Sequence, residues 1–468
     1  MRVVPVLGTA GLLCLTAFGC GGRSSVNQSS TPPCETRVPA EHPADTVTVV
    51  VFDKIDPTHA PVPQNREEQF VFSHLYETLV KIDCHGQVQP GLAKSWKQGS
   101  DGWLVELRDA AQFWDQSQLT SDDVRQSFDA AIRNGFAIRS VDVIDDRTFL
   151  VKGDHDAPDI KLLALPMVAI CRESDTGPPM GTGAWQFDSD IPVAEGVVIQ
   201  PVVTALGPVV RFMQANPSDA KDLVAGRADA MITDDPEAID YARERHATMT
   251  PLAWDRAYML LSTSRYAAVE RSDHVASLPE AVCDVLARDA VRVDARGGSS
   301  LIMDANAAFP VRIKVSDAPT PDGIRNPVHR VMFASADATA RGLAERMVAL
   351  AAMDTSSSDA ARALVRAVPG AAADLRAAGL NSKQFAASLA AGDEFAYVVA
   401  LSWYTDFPFF LREFERTTWS PEGPNVAQRV LPLVETRAHF VALNERIGYT
   451  HDETGIVHIM ITQPEQKR

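Results

Sequence analysis

Three pairs of adjacent aspartates are candidates for acid–base chemistry: Asp122-Asp123, Asp145-Asp146 and Asp234-Asp235. Each pair stands at a predicted turn or helix start, where capping or turn formation accounts for it. The sequence has no HExxH zinc motif, no GxSxG nucleophile elbow and no P-loop for phosphate. We therefore predict that the protein is not an enzyme and has no catalytic residues.

The cysteines give no metal-binding or redox pattern. None of them forms a CxxC motif or a Cys/His cluster with the ligand spacing of a zinc site. Besides Cys14 and Cys20 near the N-terminus, the chain contains Cys34, Cys84, Cys171 and Cys283. In an oxidising compartment these four allow three complete disulfide pairings, and the sequence does not choose among them. We predict no bound metal and no cofactor.

The charge balance argues against nucleic acid as a partner. The chain has 61 acidic and 44 basic side chains, a formal net charge of -17, and no basic stripe with aromatic residues between. Such a surface favours solubility, and it could also attract cationic ligands over long distances. A length of 468 residues suggests two or three globular units.

The N-terminus has the layout of a secretory signal peptide. Arg2 supplies a positive charge, an apolar run follows from Val3 to Phe18, and Ala17-Phe18-Gly19-Cys20 resembles the lipobox of bacterial lipoproteins. That resemblance implies acylation of Cys20, which would hold the protein at a membrane surface. The alternative is plain cleavage beside an incidental cysteine. Residues 21–45 are polar and proline-bearing, as is typical of a flexible tether.

Periodicity predicts strands and helices along the rest of the chain. Thr46–Val51 alternates as a strand does, and apolar residues within 71–81 recur at helical spacing. A second helix is predicted to begin at Thr120, which can form a capping box with Asp123, and to stop at Asn134-Gly135. Apolar spacing also predicts a helix at 338–352, and residues 294–308 are predicted to form a loop. The Ala-rich residues 359–391 are predicted to be helical, because Ala has the best helix propensity.

Four segments, taken in order, resemble a known family. They are Leu75-Tyr76-Glu77-Thr78-Leu79-Val80, Pro90-Gly91-Leu92-Ala93-Lys94-Ser95-Trp96, Phe113 to Val124, and Gly181-Thr182-Gly183-Ala184-Trp185-Gln186-Phe187. These four segments resemble the corresponding segments of bacterial extracytoplasmic solute-binding proteins of the oligopeptide, dipeptide and nickel type, which form family 5. The likeness spans most of residues 46–460 and is strongest at 71–128 and 181–187.

The resemblance implies an α/β fold of the two-lobed periplasmic-binding-protein type (type II, cluster C), with an additional inserted domain. The implied division is a signal peptide at 1–19, a lipidated N-terminus and tether at 20–45, lobe I at 46–70, 181–270 and 435–468, an inserted domain at 71–180, and lobe II at 271–434. A monomer is expected.

The implied function is that of the lipid-anchored binding component of an ABC importer on the extracytoplasmic face of a membrane. Such a protein captures a peptide or other small solute between its lobes by hinge closure and then docks to a membrane permease. Two other functions stay open. One is a structural or assembly role for a degenerate member of the family, and the other is binding of a nickel chelate or an oligosaccharide.

The implied ligand site is Ser402-Trp403-Tyr404-Thr405-Asp406-Phe407-Pro408, which resembles a segment of the peptide-binding members. By that resemblance Asp406 neutralises the α-ammonium of a peptide, and Trp403 walls a side-chain pocket. A carboxylate and an ammonium form a charge-assisted hydrogen bond, and this bond strengthens when water is excluded. Tyr404 is a further pocket candidate. The alternative is that Trp403 belongs to the core and Asp406 caps a loop.

Other candidates are weaker. Trp254 and Tyr258 could line the cleft or pack at the hinge, and packing is the stronger interpretation. His439 and His451 are isolated in the sequence, which is more typical of structural histidines than of nickel ligands. No basic residue is singled out as the partner of a ligand carboxylate.

Overall fold

The predicted strand at Thr46–Val51 is present and lies inside a large mixed sheet. The computed structural model describes residues 36–37, 44–83, 87–153, 156–174, 177–188, 196–203, 207–215, 228–262, 280–291, 294–298, 329–356, 358–367, 375–391, 394–403, 429–445, 447–451 and 457–460. Within these ranges, no helix has both the length and the apolar character needed to cross a membrane.

Strands and helices alternate through the described ranges. The strands are β1 (Thr36–Arg37), β2 (Thr46–Val51), β3 (Val80–Ile82), β4 (Val88–Pro90), β5 (Ala93–Gln98), β6 (Gly102–Leu107), β7 (Ser140–Val143), β8 (Thr148–Lys152), β9 (Trp185–Phe187), β10 (Val197–Pro201), β11 (Val209–Gln214), β12 (Ala230–Thr233), β13 (Thr248–Ser262), β14 (Ala295–Gly297), β15 (His329–Ala334), β16 (Leu375–Leu380), β17 (Ala396–Ser402), β18 (Arg429–Ala442), β19 (Tyr449–His451) and β20 (Val457–Ile459). The α-helices are α1 (Arg66–Leu75), α2 (Ser121–Arg133), α3 (Pro236–Glu244), α4 (Glu280–Ala290), α5 (Ala338–Ala351), α6 (Asp359–Ala367) and α7 (Ser382–Ala391). Short 3-10 helices span Pro57–His59, Ile160–Ala164 and Pro166–Val168.

Eleven described strands build the large sheet. Its order is β16-β15-β17-β13-β18-β12-β2-β11-β10-β9, with β14 added beside β18. A separate antiparallel sheet has the order β5-β6-β8-β7, while β3 pairs with β4 and β19 lies between β1 and β20. The fold is therefore mixed α/β.

Two long antiparallel strands, β13 and β18, join the two halves of the large sheet, and we call them the crossover strands. They pair from Thr248↔Ala442 to Ser262↔Arg429, with register shifts on both sides of Trp254. β13 pairs with β17 only from Arg256 onward. β18 pairs with β12 only through its last residues, from His439 to Ala442. Each crossover strand thus has one end in each half of the sheet.

Helix α2 matches its prediction. Thr120 forms the predicted capping box with Asp123: the Asp123 carboxylate accepts the Thr120 backbone N–H at 2.9 Å, and Thr120 Oγ1 accepts the Asp123 backbone N–H at 3.4 Å. The helix buries Val124 and Phe128, and it ends at Asn134 before Gly135, whose φ is 88°. Local sequence therefore determines both ends of this helix.

Helix α1 begins at Arg66, five residues before the segment 71–81 in which a helix was predicted. Asn65 caps it by accepting the backbone N–H of Glu68 at 2.8 Å. The chain leaves the helix at Tyr76, and Val80 enters β3, which pairs with β4. Leu79 and Val80 are buried, but neither belongs to a helix. Leu79 precedes the β3–β4 hairpin, and Val80 is the first residue of β3.

The prediction that residues 359–391 are helical throughout is wrong. Helices α6 and α7 flank the strand β16, which pairs in parallel with β15 over six residues, from His329↔Leu375 to Ala334↔Leu380. Sheet pairing outweighs the local helix propensity of Ala here. The predicted loop at 294–308 likewise contains β14, which pairs with β18.

The buried apolar residues form distinct cores. In the first, α1 packs Phe70 against Phe212 and Phe440, with ring centroids 5.9 and 5.6 Å apart. A second core joins α4 and α5 to β15 and β18, and a third lies between α2 and the four-stranded sheet. The division into lobe I, lobe II and an inserted domain stays a prediction. Val71, Phe72, Leu75 and Tyr76, at the start of the predicted inserted domain, pack in the first core.

The two described cysteines do not pair with each other. Cys171 is a free thiol, and Cys283 Sγ donates a hydrogen bond to the Pro432 carbonyl at 3.7 Å. Burial raises the pKa of each thiol to about 11. Cys34 and Cys84 lie outside the described residues.

Candidate functional site

Trp403 lies where strand β17 reaches the crossover strands. Its backbone N–H donates to the Asp255 carbonyl at 2.8 Å. The half-buried side chain packs against two apolar groups, one containing Leu79 and Phe128 and the other containing Met259 and Tyr397. Tyr404 and Asp406, the other two predicted ligand contacts, lie outside the described residues, as does Cys20.

A network of four charged side chains lies beside Trp403, and we call it the Arg66 network. Arg66 donates to both carboxylate oxygens of Asp255, at 2.8 and 3.2 Å, and to Asp234 at 2.8 Å. Arg256 donates to Asp234 at 3.4 Å. Burial acts to lower the pKa of Arg66, but the fields of Asp255 and Asp234 outweigh it and raise that pKa. This network ties the first turn of α1 to the crossover.

A second group surrounds Trp254 on the next residues of β13, and we call it the Trp254 cluster. Arg296 and Arg437 place their guanidinium carbons over the indole, each 4.4 Å from the ring centroid. Arg437 donates to Asp294 at 2.9 Å, and Arg296 forms an ion pair with the buried Glu435. Both cations over this ring are therefore balanced by a carboxylate.

His439 completes the Trp254 cluster. Its Nε2 lies 3.3 Å from Asp294 Oδ2. The hydrogen bond from His439, assisted by Arg437, lowers the pKa of Asp294 to about 2. Asp294 therefore stays ionised across the range in which most proteins are stable, and it holds β18 to the segment before β14.

Four charged groups of these two sets reach solvent. Between 35% and 43% of each side chain is exposed for Asp234, Arg256, Asp294 and Arg296. Two carboxylates and two guanidinium groups can form charge-assisted hydrogen bonds with both ends of a zwitterion. The sequence could not identify Arg256 and Arg296 as candidate partners of a carboxylate, because each reaches the crossover through pairing of its strand with β18.

The remaining candidates are placed as follows. Tyr258 is buried in the second core and its hydroxyl donates to Asp337 at 3.3 Å, so it packs rather than lines a cleft. Trp254 is half-buried at the crossover. In the part of the chain that the structure describes, no group of three or more His, Cys, Asp or Glu residues could hold a metal ion.

The sequence and the fold can both be compared with known proteins. Residues 87–200 match the family described as bacterial extracellular solute-binding proteins, family 5, middle region. In fold, the chain is similar to the unliganded open form of the murein tripeptide-binding protein MppA, a protein of Escherichia coli. That match has a TM-score of 0.54 and 13% identity, and it covers 92% of this chain and 99% of MppA. The match over residues 87–200 and the fold agree with the predicted resemblance to family 5 solute-binding proteins, and the predicted fold class is confirmed.

Two further solved structures show a similar fold. The NikA structure from Brucella suis, in complex with Fe(III)-EDTA, has a TM-score of 0.52 at 14% identity, over 84% of this chain and 95% of NikA. OppA from Haemophilus influenzae, in complex with the peptide RPPGFSPFR, has a TM-score of 0.52 at 12% identity, over 90% of this chain and 99% of OppA.

One curated relative also matches in sequence. The nickel-binding periplasmic protein of Escherichia coli K12 is 36% identical over 69 residues. This match spans 14% of the present chain and 13% of the nickel-binding protein.

Proposed function

We propose that this chain is the solute-binding component of an ABC-type importer and that it captures a peptide-like ligand beside the crossover strands. The observation that carries the proposal is the crossover itself, where β13 and β18 join the two halves of the sheet. Exposed groups of both charges and two tryptophans, Trp254 and Trp403, lie at this place. A peptide has an ammonium, a carboxylate and apolar side chains, which these groups complement.

Capture proceeds by hinge closure about the crossover strands. The register shifts around Trp254 support this, because irregular pairing lets a strand bend where regular pairing would resist. A ligand that contacts both sides of the hinge binds the closed form more tightly and so shifts the population toward it. No chemical step is required, and the protein acts as a monomer without enzymatic activity.

The ligand contacts are Asp406, Trp403 and Tyr404. The location of Trp403 beside Asp255 supports this assignment, since it places the first of these three residues at the crossover. Asp406 binds the α-ammonium of the peptide, and an exposed arginine of the crossover, Arg256 or Arg296, binds its carboxylate.

Purified protein is expected to show a higher melting temperature with tri-alanine, because a ligand that binds only the folded state stabilises it. Asp406→Asn should weaken tri-alanine binding at least about tenfold, and N-acetylation of the peptide should do the same to the wild type. Asp122→Asn, an exposed change on α2, serves as the matched control and should bind normally. Unchanged affinity in Asp406→Asn would remove this residue from the site.

The same thermal-shift panel tests the other functions. A nickel–histidine chelate is included because of the sequence match to the nickel-binding protein, and a shift with it alone would favour nickel uptake. Shifts with oligosaccharides alone would favour sugar uptake. No shift with peptides, chelates or sugars would count against transport and favour a structural or assembly role.

The protein works on the extracytoplasmic face of a membrane, held there by an acylated Cys20. The sequence before residue 46 supports this, since an apolar leader, a lipobox-like segment and a polar tether follow one another. Cys20→Ser should move the protein from the membrane fraction to the soluble fraction. Cys34→Ser, the matched control, should stay with the membrane. Membrane retention of Cys20→Ser would refute the anchor.

A further inference from the structure

A cavity of ≈ 470 Å³ lies between the end of α1 and the strands β3, β9, β19 and β20, and none of its wall residues belongs to a crossover strand. Its wall includes Glu77, Lys81, Trp185, Thr450, His451 and His458. A smaller cavity of ≈ 70 Å³ shares Ser73, Glu77, Lys81, Ile82 and His458 with it and adds Gln69, Phe72 and Tyr76. The two spaces share part of their wall, and together they form one site whose surface is mainly apolar in both parts.

Each part of this site contains a buried polar side chain with unused hydrogen-bonding atoms. His451 is 7% exposed, and in the described part of the chain neither of its ring nitrogens has a hydrogen-bond partner. Gln69 is 8% exposed, and its side-chain oxygen likewise lacks one. Native proteins rarely leave such atoms unpaired, so each calls for a partner that the described chain does not provide.

The charged residues of the wall are already paired. Glu77 accepts a hydrogen bond from Arg108 at 2.8 Å and lies 3.7 Å from the Lys81 ammonium. Asp83 accepts from Gln89 at 2.6 Å. The site therefore needs hydrogen-bonding groups more than it needs a counter-charge.

His74, the third histidine of the wall, already has a hydrogen-bond partner for each ring nitrogen. His74 Nδ1 donates a hydrogen bond to the Phe70 carbonyl at 2.7 Å, and Nε2 accepts one from the Ile459 N–H at 3.0 Å. Burial lowers the pKa of His74 to about 3, so this ring is neutral in the folded protein. The open hydrogen-bonding capacity lies at His451 and Gln69.

Hydroxyl groups fit these requirements best. A neutral imidazole needs one donor and one acceptor, and an amide oxygen needs a donor, whereas a hydroxyl can be either. The rings of Trp185, Tyr76 and Phe72 add apolar surface to the same walls. A volume of this size falls within the range of small-molecule sites, about 300–1,000 Å³.

We propose that this site binds a neutral polyhydroxylated solute, a mono- or disaccharide, separately from the ligand at the crossover. The hydroxyl groups pair with His451 and Gln69, and a sugar face packs against the aromatic walls.

The test uses the full chain with glucose, N-acetylglucosamine, maltose and sucrose at millimolar concentration. At least one of them is expected to raise the melting temperature and to shift the ring-nitrogen NMR signals of His451. His451→Phe and Gln69→Leu should each weaken that binding at least tenfold while tri-alanine binding is unchanged. Trp403→Ala and Asp406→Asn should leave sugar binding intact, which separates this site from the proposed peptide site.

The unliganded variants give a second readout. His451→Phe removes both unpartnered nitrogens while keeping the ring, so its melting temperature should equal or exceed that of the wild type. A clearly lower melting temperature would mean that the imidazole has a structural partner, which would overturn the proposal. Absence of binding by all four sugars, or equal sugar binding by His451→Phe, would overturn it as well.

Discussion

Replacing Arg66 with methionine is expected to destabilise the protein by about 3–5 kcal/mol. Arg66 is buried, and it holds the buried Asp255 with two hydrogen bonds and Asp234 with a third. Methionine fills much of the same space but leaves the Asp255 carboxylate buried without its cation. Urea denaturation of both proteins at neutral pH measures the loss.

Two further variants show whether the charge or the packing is responsible. Arg66→Met combined with Asp255→Leu should recover most of the loss, because an apolar pair replaces a buried ion pair at little net change in stability. Arg125→Met removes an exposed ion pair with Asp122 and should change stability by no more than about 0.5 kcal/mol. If Arg66→Met behaves like Arg125→Met, the Arg66 network is solvated and does not hold α1 to the crossover.

The neighbouring residue should behave in the opposite way: Glu67→Gln is expected to stabilise the protein, and more so as the pH rises. Glu67 is buried with one carboxylate oxygen unpartnered among the described residues. Burial raises its pKa from 4.5 to about 8, against the pull of Arg66. Between these two values the folded state holds a proton that the unfolded state has lost. Stability therefore falls as the pH rises through this window, and the full penalty is present above pH 8.

Urea denaturation at pH 5, 7 and 9 measures this dependence. The difference between Glu67→Gln and the wild type should grow by roughly 2–4 kcal/mol from pH 5 to pH 9. Glu106→Gln is the control, since Glu106 is paired with Lys94 near the surface and its pKa is lowered by that hydrogen bond. A difference for Glu67→Gln that does not change with pH would mean that water reaches this carboxyl group.

Local signals in the sequence were sufficient for part of the fold. The capping box of Thr120 and Asp123 and the stop at Asn134 need only neighbouring residues, and helix α2 has the predicted ends. The strand at Thr46–Val51 could also be predicted from the sequence, because its Thr and Val residues alternate. The family resemblance between residues 75 and 187 supplied the fold class.

Long-range pairing explains what the sequence could not show. The strand β16 lies within an Ala-rich helical pattern, and only its parallel pairing with β15 makes it extended. The same limit applies to the candidate site. Arg66 meets Asp255 across 189 positions, and Arg296 meets Glu435 across 139, so neither pair has a signal in sequence spacing. Trp403 was a prediction from resemblance, and the fold brings it to the crossover, while its role with Asp406 stays a prediction.

The position of β18 in the large sheet also sets the order in which the fold can be completed. Without residues 429–442, β13 and β12 have no strand between them, and the sheet separates into two smaller sheets with open edges. A growing chain makes these residues after every other described strand of the large sheet. The two halves of the sheet therefore cannot join through β18 until all of those strands have been made.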